Sequence, residues 1–183
     1  IYQSAFTDKL ETLVDVISDD GNKLLVRMEA ASEFPNYFIR DLSQDKLNQI
    51  THFENPFQSL SRIHKEVIKY KRQDGIDLSA TLYLPADYDF NQKPKLPMIL
   101  WAYPTEFKDQ AHASQNRQNP NEFTYASYGS MIYWVTRGYA VLDDAAFPIV
   151  GEGDEEPNDT FIQQLVANGC LLYTSPSPRD DIS

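Results

Sequence analysis

The chain has 183 residues, 42% hydrophobic and 13% aromatic, with a formal net charge of −11. That is the length of one ordinary domain or two partial ones, and the composition of a globular protein. The acidity would repel phosphate backbones, which argues against a nucleic-acid partner, and no apolar run approaches the roughly 18–20 residues that span a bilayer. The single cysteine, Cys170, excludes an internal disulfide.

The first third has a strand-and-turn rhythm. Thr12–Ser18 reads as a strand before the turn Asp19-Asp-Gly-Asn22. Lys23–Glu29 follows as a second strand, Ala30–Pro35 as a turn, and Asn36–Leu42 as a third strand. After the turn Ser43–Lys46, Leu47–His52 closes the set. Short strands between Asp, Asn and Gly turns signal antiparallel β structure. Four such strands make one propeller blade or an isolated meander, because one copy shows no repeat period.

Glu54–Phe57 reads as a linker. Lys65–Lys71 and Ile76–Leu84 flank the turn Arg72-Gln-Asp-Gly75, a hairpin signal. Pro85–Pro97 is a polar loop with several prolines. Met98–Trp101 then supplies a short apolar strand of the kind a buried parallel sheet uses. Ser130–Arg137 reads as a helix with Ser130 at its N-terminus and Gly138 as its C-cap. Tyr139–Leu142 is the next buried strand. In Gly151-Glu-Gly-Asp-Glu-Glu156, the last two glutamates fall at the start of a helix, where its dipole favours them. The loop lacks the spacing of a dinucleotide fingerprint and of a calcium-binding hand. Its place after a strand is where α/β folds carry ligand loops. Pro157 suits the first helical position. Ile162, Leu165 and Val166 share one helical face, the expected inward face.

Catalytic signatures are sparse. No Gly-x-Ser-x-Gly occurs. Ser130, in Tyr128-Gly-Ser-Met131, lacks the second glycine and reads as a helix-capping serine. His52, His64 and His112 form no His-x-x-x-His pair, so neither metal nor cofactor is expected, and His112 reads as solvated in a polar loop.

The order strand, loop, helix, strand, acidic loop, helix over Pro97–Val166 resembles the first half of the catalytic domain of S9-family (prolyl oligopeptidase) serine peptidases. The likeness is nearest to the glutamyl endopeptidase branch, carried by Trp101-Ala-Tyr-Pro-Thr-Glu-Phe-Lys108 and by the acidic loop. The resemblance implies an α/β fold: the N-terminal part of an α/β-hydrolase domain over residues 58–169, preceded by the last β-propeller blade over residues 1–57. It also implies peptide-bond hydrolysis through an acyl-enzyme, a peptide substrate, and cleavage after acidic residues. In that family a tyrosine at the end of the first parallel strand helps hold the oxyanion, which makes Tyr103 the candidate catalytic residue. The catalytic Ser, Asp and His would all lie beyond Val166. Another α/β-hydrolase activity, such as an esterase or acyl-peptide hydrolase, and a non-catalytic β-rich binding module stand as alternatives.

Residues from Cys170 to Asp180 read like an in-frame translation of a transposase-type sequencing adapter. Together with Ile1 in place of an initiator Met, this gives the expectation of an internal fragment whose residues 170–183 are a non-native tail outside any core.

Overall fold

The computed structural model describes residues 6–113, 119–151, 153–154 and 156–174. The chain divides into two compact units, Ile1–Arg62 with Asn119–Tyr128, and Ile63–Gln118 with Gly129–Ser183.

The first unit is an antiparallel meander of β1 (Leu10–Val16), β2 (Lys23–Ala30), β3 (Glu33–Asp41) and β4 (Lys46–Gln49), in that order across the sheet. The turn residue Gly21 sits at φ 71°, which a side chain would strain. The second turn is tighter than the sequence suggests. β3 already begins at Glu33, so Phe34 and Pro35 are strand residues and only Ala31 and Ser32 remain between β2 and β3. Leu24, Val26 and Met28 alternate along β2 to form the core, against which Phe38 and Leu47 pack. A wholly buried valine such as Val26 contributes about 1.5–3 kcal/mol. The segment Asn119–Tyr128 docks on this unit. Phe123 donates its N–H to Glu29 at 2.9 Å, and its ring meets Phe34 edge-on and stacks with Phe57. Thr124 donates to the Ala31 carbonyl at 3.2 Å.

The second unit carries β5 (His64–Lys71), β6 (Asp77–Leu84), β7 (Met98–Phe107) and β8 (Ala140–Val150). Their order is β5-β6-β8-β7. β5 pairs antiparallel with β6, β6 antiparallel with β8, and β8 parallel with β7. The expected hairpin is present, with Gly75 at φ 89°. A short helix α1 (Gln110–Ala113) follows β7. A helix over Met131–Arg137 precedes β8, capped by Ser130, whose hydroxyl accepts from the Ile132 N–H, and by left-handed Gly138. It is a tight 3-10 helix instead of an α-helix. Pro157 opens a 3-10 turn that leads into α2 (Phe161–Thr174).

Three expectations are corrected here. Met98–Trp101 is not buried among the described residues: Met98 and Trp101 are each 54% exposed, because β7 is the outermost strand of the sheet that these residues form. Val141 and Leu142, in the middle, are buried as expected. The inward face of α2 is not Ile162 and Val166, which are 68% and 56% exposed. It is Gln164, Asn168, Leu171 and Leu172, spaced i, i+4, i+7 and i+8. Finally, the stretch from Cys170 does not lie wholly outside a core. α2 continues through it to Thr174, and Leu171 and Leu172 pack against buried residues of the sheet, because they extend the helical periodicity of Gln164 and Asn168.

Candidate functional site

β7 and β8 run side by side, so their carboxyl ends open on the same edge of the sheet, where α/β folds place ligands. Tyr103 lies on β7 opposite Ala146, and its side chain is 79% exposed. It does not end the strand. β7 continues to Phe107, because Thr105, Glu106 and Phe107 pair with Pro148, Ile149 and Val150.

A bulge lies beside it. Leu100 pairs with Leu142, but Ala102 pairs with Ala145, so β8 holds one extra residue. Asp144 absorbs it at φ 48°. The neighbouring Asp143 is half-buried, and burial, with the charge of Asp144 beside it, pushes its carboxyl above the ordinary value.

Past the strand end, Asp109 accepts from the backbone N–H of His112 at 2.9 Å and lies 2.7 Å from its ring Nδ1. These contacts hold the Asp109 carboxyl below the usual range. His112 is exposed, as expected, yet it has a carboxylate partner. His52 is exposed in the first unit, and His64 opens β5 beside Glu66 and the Phe90 ring. Of the acidic loop, Glu156 caps the turn at Pro157 through a reciprocal capping box with Asp159. Glu155 lies outside the described residues.

Sequence reasoning missed Arg72. Its place in the Arg72-Gln-Asp-Gly75 turn gives no sign of burial, but it is buried and binds Asp74, Gln164, Asn168 and the Pro148 carbonyl. The available signal was the polar pair Gln164 and Asn168, at i, i+4 spacing on one face of the helix. The Arg72 guanidinium holds the Asp74 carboxyl below its ordinary value of 3.8. The pairing therefore adds stability that is complete above about pH 4 and is lost as pH falls through the lower, folded value. Urea midpoints followed between about pH 5 and pH 2 should fall more steeply for the native chain than for Asp74→Asn; parallel curves would contradict the linkage.

The first unit has a cavity of about 560 Å³ lined by Phe34, Phe38, Phe53, Lys9, Glu33 and Asn36, among others. Its polar lining is engaged internally: Lys9 with Glu33, and Asn36 with Thr51 and the backbone of Phe34 and Phe53. No group of three or more potential metal-ligating side chains occurs among the described residues.

No protein-family model matches the chain. The chain is 42% identical over 176 residues to a protein of Oryza sativa subsp. japonica named "Probable glutamyl endopeptidase, chloroplastic". It is 40% identical over 176 residues to the Arabidopsis thaliana protein of the same name. Each match covers 92% of this chain, but only 19% and 18% of the respective relatives, so the chain spans under a fifth of their length. In fold it is similar to a post-proline cleaving enzyme from Rickettsia typhi, with a TM-score of 0.51 at 16% identity, over 93% of this chain and 23% of that one. The chain is thus similar in sequence to two plant proteins named as probable glutamyl endopeptidases, over a stretch that makes up less than a fifth of each.

Proposed function

We propose that these residues are part of an S9-type serine peptidase, a hydrolase that cleaves peptide bonds through an acyl-enzyme, with preference for the bond after glutamate. The observation that carries this reading is the 40–42% identity to the two plant relatives across 92% of the chain. Within it, residues 1–57 are the last blade of a β-propeller and residues 58–169 are the first half of an α/β-hydrolase domain. The four-stranded meander supports the first assignment. The second is supported by an antiparallel hairpin leading into a parallel strand pair.

Tyr103 is the catalytic residue of the proposal. Its phenol, exposed on the parallel pair, donates a hydrogen bond to the oxyanion of the tetrahedral intermediate. The nucleophile, its histidine base and the aspartate that orients the base belong to a Gly-x-Ser-x-Gly elbow and its partners, and no such elbow occurs in these 183 residues. An oxyanion donor alone forms no acyl-enzyme. The 183-residue chain is therefore expected to neither cleave a glutamate-containing peptide nor react with a fluorophosphonate probe. The full-length protein should do both, cutting on the carboxyl side of glutamate. Labelling of Ser130 in the short chain, or an unreactive full-length protein, would overturn the assignment.

A further inference from the structure

We propose that Arg72, Gln164 and Asn168 are positioning residues that replace an absent strand and hold the carboxyl end of β8 against the strand bearing Tyr103. The link to Tyr103 rests on the peptidase reading above; the brace itself does not.

β6 pairs with β8 only over Val141–Asp143, whereas β7 follows β8 as far as Val150. Past the bulge, one edge of β8 has lost its ladder partner. A buried strand edge without partners leaves costly polar groups. Here side chains supply them. Gln164 accepts from the Val150 N–H at 2.9 Å and donates to the Val150 carbonyl at 2.7 Å. One carboxamide thus makes the two bonds that a facing residue of an antiparallel strand would make. Two residues back, the Pro148 carbonyl accepts from Asn168 at 3.0 Å and from Arg72 at 3.1 Å. Pro148 has no N–H to satisfy.

The brace is cross-linked. Arg72 donates to the Asn168 carbonyl oxygen at 2.8 Å and to the Gln164 carbonyl oxygen at 3.0 Å. Asp74 fixes the other side of the guanidinium, accepting from Nε at 3.0 Å and from Nη2 at 2.7 Å. Asn168 is 1% exposed, so water cannot readily substitute for these partners. The braced residues pair with Thr105–Phe107, two to four positions past Tyr103. Gly151, which starts the acidic loop, donates to the Phe107 carbonyl at 2.9 Å. Loosening the brace therefore frees both the register at Tyr103 and the exit of that loop.

Gln164→Ala is the decisive variant, because it removes the surrogate pairing and leaves the buried Arg72 with Asp74 and Asn168. Residue-resolved amide exchange on the 183-residue chain should show Val150 exchanging about tenfold faster or more, with Val141 unchanged. The amide resonances of Tyr103 and Ala146 should shift. Gln164→Asn, too short by one methylene to reach Val150, should behave like the alanine variant. Unchanged protection at Val150 overturns the brace, and so does equal loss of protection across the sheet. Faster exchange with unmoved Tyr103 and Ala146 signals overturns the positioning role. In the full-length protein, Gln164→Ala should lower kcat about tenfold with little change in KM, as misplaced catalytic groups do. A full-length native protein inactive on every peptide would sink the peptidase reading, while the exchange result would still decide the brace.

Discussion

Replacing Tyr103 by Phe in the full-length protein is expected to lower kcat and kcat/KM together, by about 10²–10³-fold. The hydroxyl is removed while the ring stays, and the ring stands clear of the core, so melting should barely change. Because the bond to the oxyanion exists chiefly in the transition state, KM should hold nearly constant. A tyrosine with a merely structural part gives the reverse pattern: normal turnover and a small loss of stability if a hydrogen bond is lost. Steady-state kinetics with a glutamate-containing peptide decide it, with thermal melting as the control. Unchanged kcat would remove the only catalytic role proposed for this stretch.

The second large effect is one of stability. Glu11 and Arg40 form an ion pair at 2.7 Å across the first sheet, their side chains 0% and 11% exposed. The guanidinium also lies 5.6 Å from the centre of the Phe6 ring. Arg40→Met removes the cation and leaves the Glu11 charge in a site shielded from water. The expected cost is about 3–5 kcal/mol, read from urea denaturation at neutral pH. The double variant Glu11→Leu with Arg40→Met should recover most of it, since neither charge is then buried. Additive losses in the double variant would show that the pair contributes by packing and not by charge balance.

The sequence is most readable where local chemistry decides the structure. Gly21 and Gly75 mark turns because their backbones need positive φ, and Ser130 and Gly138 bracket a helix because each satisfies terminal backbone groups. It is least readable where distant partners decide. The apolar run Met98–Trp101 has the same letters whether its strand lies at the centre or the edge of a sheet. The order β5-β6-β8-β7 puts it at the edge. The apolar stripe Ile162, Leu165, Val166 suggested the inward face of α2. A buried guanidinium from residue 72 instead turns Gln164 and Asn168 inward, since its donors need acceptors more than the sheet needs another isoleucine. No periodicity links residue 72 to residues 164 and 168. The strand beyond Tyr103 could not be read from the sequence, because Thr105–Phe107 become strand only through β8.

The docking of Asn119–Tyr128 on the meander has a consequence for synthesis. When residues 1–62 leave the ribosome, the Glu29 carboxylate and the rings of Phe34 and Phe57 are still without Phe123. About 60 more residues must be translated first, which takes about 3–12 s at ordinary elongation rates. Through that interval the nascent meander presents an aromatic notch and a half-satisfied carboxylate, a surface suited to transient chaperone contact. The first unit is thus completed after the strands β5, β6 and β7 have already emerged, and its last contacts form late, against the order of the chain.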